Sequence, residues 1–233
     1  MAEHVSQDRL KAMVGRAGAD MVSDGDIVGL GTGSTARYAI ERLGERVAEG
    51  LHILGIPTSV ESERLALDCK IPLTTLEAHP DIDITIDGAD EVDPGFDLLK
   101  GRGGALLREK MVAHATSNEV IVVDASKLVD RLGTRSPLPV EVTIYGHTAV
   151  ARRLAPLGCK PILRQQREGV AGPFVTDNGN YIYDCRFDGI LDPKGLEARI
   201  DSIPGVVECG LFIGLAHVVI TASENGVEVR RKA

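Results

Sequence analysis

Short apolar runs alternate with longer stretches of helical periodicity through the first half of the chain. Residues 27–30, 51–56, 83–86 and 119–123 are compact and rich in Ile, Val and Leu, the pattern of buried strands. Between them, residues 6–22, 34–49 and 61–69, and a segment starting near Gly104, repeat apolar positions at helical spacing. Strands that alternate with helices imply a mainly parallel sheet covered on both faces. The character changes near Arg135-Ser136-Pro137-Leu138-Pro139. From there the pattern predicts a strand (140–144), a helix (148–157), two strands (161–164 and 181–187), a helix (193–203) and a strand (206–212). Asp177-Asn178-Gly179-Asn180 supplies turn chemistry for the central hairpin. That β-α-β-β-α-β order is the split pattern of ferredoxin-like domains. Two last strands, 218–221 and 227–229, flank Glu224-Asn225-Gly226 and return to the first domain. The expected fold class is α/β. Residues 1–133 and 210–233 form a Rossmann-like domain with a mainly parallel sheet, and 134–209 form a smaller inserted ferredoxin-like α+β domain.

Composition narrows the function. The 233 residues carry a net charge of −8, no Trp and only 3% aromatics, which argues against nucleic-acid binding. An anionic substrate stays open, because a pocket can be positive inside an acidic protein. The four cysteines are scattered with no Cys-x-x-Cys pair, so separate reduced thiols are expected. The six histidines show no metal-ligand spacing, and no metal site is expected. The first 22 residues read as an amphipathic helix and not as a signal peptide. The apolar run 211–220 is too short to span a membrane and contains His217. A soluble cytoplasmic protein is the expectation.

Three stretches carry chemistry. Gly29-Leu30-Gly31-Thr32-Gly33-Ser34-Thr35 lies between a strand and a helix, where free N–H groups and the helix dipole favour an anion. Thr32, Ser34 and Thr35 add hydroxyls. A dinucleotide fingerprint fails here, because the third glycine is missing and the next strand ends in Gly55-Ile56-Pro57-Thr58-Ser59 with no acid for a ribose diol. A Walker lysine is also missing. In Asp87-Gly88-Ala89-Asp90-Glu91, Asp87 closes an apolar strand, the place where α/β sheets bind ligands. Such acids hydrogen-bond sugar hydroxyls or shuttle protons; Glu91 and Asp93 read instead as a solvated acidic turn. Lys100 precedes Gly101-Arg102-Gly103-Gly104, an ammonium beside a flexible loop that suits an oxyanion or a phosphate. Glu109 follows three residues after Leu106 and four before Ala113 on a partly apolar helix face, so it is partly desolvated, which suits a general base. Lys127, after strand 119–123, is either a second cation for the ligand or a plain helix-start lysine.

Taken together, these motifs closely resemble ribose-5-phosphate isomerases of the A type. The resemblance also covers Asp124-Ala125-Ser126-Lys127, Pro137-Leu138-Pro139-Val140-Glu141-Val142 and Val175-Thr176-Asp177-Asn178-Gly179-Asn180, and runs over nearly the whole chain. It implies interconversion of D-ribose 5-phosphate and D-ribulose 5-phosphate in the pentose phosphate pathway, with no metal or organic cofactor. By motif position it makes Glu109 the base, with Asp87, Asp90 and Lys100 as supporting catalytic groups. It makes Thr32, Gly33, Ser34, Thr35, Asp87, Gly88, Ala89, Asp90, Lys100, Gly101, Arg102, Gly103 and Lys127 the substrate contacts. The expected partner is a small pentose phosphate, with no nucleic acid and no membrane, in a homodimer or homotetramer. Two features depart from the pattern. Arg102 stands in a loop that the family also carries in an all-glycine form, and residues 165–174 look longer than in compact members. Two other classes compete: a non-catalytic sugar-phosphate sensor, for which no segment for a DNA-reading module is expected, and another sugar-phosphate enzyme such as an amino-sugar deaminase.

Overall fold

The computed structural model describes residues 6–166 and 169–232. Residues 1–5 of the expected first helix, and 167 and 168 of the 165–174 loop, lie outside the described residues. In chain order the elements are α1 (Gln7–Ala19), β1 (Ile27–Leu30), α2 (Ala36–Ala48), β2 (Leu54–Pro57), α3 (Val60–Asp68), β3 (Ile82–Asp87), β4 (Glu91–Val92), β5 (Leu98–Leu99), α4 (Leu106–Ala115) and β6 (Thr116–Asp124). There follow β7 (Leu138–Val142), α5 (His147–Leu154), β8 (Lys160–Leu163), β9 (Tyr181–Arg186), α6 (Pro193–Asp201), β10 (Val206–Cys209), β11 (Leu211–Phe212), β12 (Val218–Ser223) and β13 (Gly226–Arg231). The chain divides into two compact units, Met1–Ala89 with Arg108–Leu128 and Leu215–Ala233, and Asp90–Leu107 with Val129–Gly214.

The first unit is a six-stranded sheet in the order β13-β12-β6-β3-β1-β2. All neighbours are parallel except the edge pair β12–β13. The parallel strands follow the doubly wound order, and its switch point falls between β1 and β3. Side-chain caps mark the starts of α1 and α3. Ser6 caps α1 by accepting the Arg9 N–H, and Ser59 and Ser62 form a reciprocal capping box on α3. The apolar stripes of α1 and α2 pack with β1, β3, β6 and β12 in one cluster that includes Val14, Leu30, Leu43, Ile86, Val122 and Ile220.

The second unit holds a four-stranded antiparallel sheet in the order β10-β7-β9-β8. With α5 after β7 and α6 after β9, this is the ferredoxin-like arrangement that the β-α-β-β-α-β pattern predicts. The unit also contains a three-stranded sheet, β11-β5-β4, that the sequence pattern does not reveal. Its strands are two residues long, too short to show alternation. Because of it, residues 90–107, 129–133 and 210–214 group with the second unit, whereas the sequence reading set the border at 133/134 and 209/210. The apolar run 211–220 is accordingly split between β11 and β12.

Glu91 corrects the reading of a solvated acidic turn. It is 0% exposed. Its carboxylate accepts N–H groups from Gly133 (2.6 Å), Arg135 (2.8 Å) and Ser136 (2.5 Å), so it anchors the loop before β7. Hydrogen bonds from neutral donors to a buried charged acceptor are strong. Glu91→Gln is expected to lower stability by roughly 1.5–3 kcal/mol. Urea unfolding measures it, and an unchanged midpoint would show that the anchoring contributes nothing.

The cysteines are free, but Cys159 and Cys185 are neighbours in space. Cys159 Sγ donates to the Leu154 carbonyl at 3.4 Å; its pairing with Cys185 holds Cys159 below the usual thiol range, and the same pairing, and then burial, push Cys185 far up. Burial also raises Cys69. The thiolate is the nucleophile, so alkylation at mildly alkaline pH is expected to mark Cys159 before Cys69 and Cys185. Peptide mass mapping over a time course checks the order.

Candidate active site

In the first unit the glycine turn leaves β1 at the switch point and leads into α2. Gly31 N–H donates to the Ile86 carbonyl (3.0 Å), which brings the turn against the end of β3. A Cβ on Gly31 would collide with the Asp87 carboxylate, so only glycine allows this approach. Asp87 is 1% exposed. Its Oδ1 accepts the N–H of Thr32 (3.1 Å) and of Gly88 (2.7 Å). The structure thus brings Thr32, Asp87 and Gly88 together. Thr32 Oγ1 also meets Thr58 Oγ1 and Ser59 Oγ, each at 2.8 Å. The sequence marks Thr58 and Ser59 only as lacking an acid; their position directly after β2 is the signal for a hydroxyl pair. The N–H groups of Gly33, Ser34 and Thr35 have no acceptor among the described residues. Thr35 is the N-cap of α2, and its side chain makes no capping bond. This is a ready anion cradle. A cavity of about 510 Å³ adjoins Gly31, Gly33 and Ser34, but Asp8, Glu41, Glu61 and Asp68 line it, so its acid-rich side does not suit a phosphate.

Glu109 stands in the first turn of α4, on the face that buries Val112 and Ala113. It is 5% exposed, so it is no surface acid despite its flanking Arg108 and Lys110. The positive helix end favours its charge. Lys127 is half-buried in a short 3-10 turn, Ala125–Lys127, directly after β6. Asp124 caps that turn by accepting the Ser126 N–H (3.0 Å). Ala89, half-buried, closes this unit's segment after β3.

In the second unit Lys100 is 2% exposed. Its N–H donates to the Gly210 carbonyl (2.8 Å), and its ammonium lies 5.4 Å from the centre of the Phe212 ring. The loop that follows needs its glycines at two points, Gly101 (φ +102°) and Gly104 (φ +87°). Arg102 lies between them outside the left-handed region, which is why a side chain is accepted there. That side chain is exposed and lines a cavity of about 340 Å³ with Arg135, Arg164 and Arg186. Asp90 is half-buried, and its Oδ2 accepts the Arg102 N–H (2.9 Å), so Asp90 orders the loop. Gly103 is exposed.

Among the described residues, Asp201, Glu208 and Cys209 bring three donor groups within 4.8 Å of one another. None belongs to the expected site. The first unit offers buried carboxylates, hydroxyls and backbone N–H groups, a set suited to proton transfer on a polyhydroxylated anion; the second offers the Lys100 ammonium.

Comparison with known proteins places the chain among the aldose–ketose isomerases. The sequence pattern of ribose 5-phosphate isomerase A (phosphoriboisomerase A) matches residues 54–226. Ribose-5-phosphate isomerase A of Gluconobacter oxydans is 54% identical over 219 residues, 94% of each chain. Among solved structures, ribose 5-phosphate isomerase A of Methanocaldococcus jannaschii is 42% identical with a TM-score of 0.93, covering 97% of this chain and 100% of the other. A D-ribose-5-phosphate isomerase in complex with phospho-erythronic acid is 38% identical with a TM-score of 0.94, at the same coverage. The chain belongs to the ribose 5-phosphate isomerase A family.

Proposed function

We propose that the chain interconverts D-ribose 5-phosphate and D-ribulose 5-phosphate through an enediolate, in the pentose phosphate pathway. The observation that carries the mechanism is a buried glutamate, Glu109, in the first turn of a helix. Asp87 assists opening of the furanose by taking the proton of the anomeric hydroxyl while the ring oxygen is protonated. Glu109 then removes the C2 proton of the open aldose. The electron pair forms the C1–C2 double bond, and O1 becomes the oxyanion. Lys100 and loop N–H groups steady that charge. The O2 hydroxyl proton passes to O1, the C2 carbonyl forms, and Glu109 returns its proton to C1. Thr32, Gly33, Ser34, Thr35 and Lys127 hold the phosphorylated substrate, with Gly88, Ala89 and Asp90 beside its hydroxyls and Gly101, Arg102 and Gly103 at the loop. No step is routed through a metal or organic cofactor.

The phospho-erythronic acid bound by a relative supports this reading, because its carboxylate offers the planar, two-oxygen geometry of an enediolate. We also take the enzyme to work in the cytoplasm as a homodimer or homotetramer. Exposed apolar side chains on the second unit, Ile144, Tyr145, Ile162 and Leu191, are in keeping with self-association. No helix among the described residues is long and apolar enough to cross a membrane. Sedimentation velocity reports the assembly.

The deciding experiment follows D-ribose 5-phosphate in deuterated water by NMR. The expected product is the ketose, with deuterium at C1 in the fraction of turnovers in which the proton held on Glu109 exchanges with solvent before its return. Failure to form the ketose removes the activity; deuterium appearing only at carbons other than C1 of the ketose and C2 of the recovered aldose overturns the C1–C2 enediolate.

A further inference from the structure

Arg164 follows β8 and reaches the loop after Lys100. Its Nε and Nη2 grip Asp184 of β9 at 2.9 and 2.5 Å, a two-pronged pair in which the Arg164 side chain is 14% exposed. The remaining nitrogen, Nη1, donates to two consecutive carbonyls, Gly101 O and Arg102 O, each at 3.1 Å. Phe174 completes the grip. Its N–H donates to the Arg164 carbonyl (2.9 Å), its ring lies 5.8 Å from the guanidinium carbon, and its ring edge sits where a Gly104 side chain would be. One arginine thus ties the loop to the ferredoxin-like sheet.

Peptide geometry says what this accomplishes. The C=O and N–H of one trans peptide point in opposite directions. The Gly101 carbonyl shares its plane with the Arg102 N–H, which faces Asp90 at 2.9 Å. The Arg102 carbonyl shares its plane with the Gly103 N–H. With that carbonyl held by Arg164, the Gly103 N–H is turned away from Arg164, and no described residue accepts it. We infer that Arg164, locked by Asp184, is a positioning residue that aims the Gly103 N–H and holds the Lys100–Gly103 loop in its working conformation; this rests on the reading of that loop as a substrate contact. The pairing uses the forked, planar shape of guanidinium, which a lysine lacks.

The test compares Arg164→Ala, Arg164→Lys and Asp184→Asn with wild type in the ketose-forming assay, beside hydrogen exchange of the peptide that contains residues 100–104. Arg164→Ala is expected to lower kcat roughly 10- to 100-fold with a smaller change in KM, as a misaimed donor does. Arg164→Lys fails to rescue it, Asp184→Asn moves kcat the same way, and loop exchange accelerates in all three. Free guanidinium ion restores part of kcat to Arg164→Ala, a recovery that general loss of structure would not give. Should Arg164→Ala fold poorly, Asp184→Asn carries the test, because it loosens Arg164 without emptying its place. Wild-type kcat in the variants, or unchanged loop exchange, overturns the inference. Lys100→Ala in the same assay separates the two claims: if it is impaired while Arg164→Ala is not, only the positioning role falls. If Lys100→Ala turns over normally, the substrate role of the loop falls first.

Discussion

Glu109→Gln is expected to lower kcat by about 10²–10⁴-fold, the usual worth of a positioned base. Gln keeps the shape and volume of the side chain but cannot take a proton from carbon. Glu109 is 5% exposed, so bulk water has poor access to replace it. Binding should survive, since the phosphate and hydroxyls are held by other groups. The check is kcat from ketose formation, paired with a calorimetric titration of phospho-erythronic acid. A variant with nearly wild-type kcat would take the base role away from Glu109. Loss of both turnover and titratable binding would instead make Glu109 a structural acid.

Lys100→Ala follows in size. Removing one donor to a developing oxyanion costs about 2.7–4 kcal/mol, or roughly 10²–10³ in kcat. Lys100 is 2% exposed and its ammonium lies over the Phe212 ring, where its charge is poorly screened by water. The expected signature is a fall in kcat larger than any rise in KM. A rise in KM alone would recast Lys100 as a phosphate grip. Truncation also removes packing from the lysine stem, so Lys100→Met serves as the control that keeps the stem and drops the charge.

The legibility of the site varied with how local its cause was. The anion cradle could be read directly, because strand, glycine turn and helix N-terminus are consecutive in the chain. Glu109 could be read as a partly desolvated acid, from Leu106 and Ala113 on its helix face; its near-complete burial is decided by tertiary packing. Glu91 escapes a local reading because its partners are distant. It sits in an acidic stretch, yet its three N–H partners lie 42 to 45 residues away. Arg164 is legible in the sequence only as the end of a strand. Its partners are 20 and 62 to 63 residues distant, and a lone arginine at a strand end has no local signature.

Periodicity and turn chemistry, read along the chain, determined the element order, the doubly wound and ferredoxin-like patterns, and the loops that carry the reactive groups. Those properties depend on interactions within a few residues, so they survive in the sequence. Tertiary structure alone decided the three-stranded sheet β11-β5-β4, the burial of Glu91, the contact of Cys159 with Cys185, and the hold of Arg164 on the Lys100 loop. Each of these is a meeting of distant segments, whose partners become neighbours only when the core has closed.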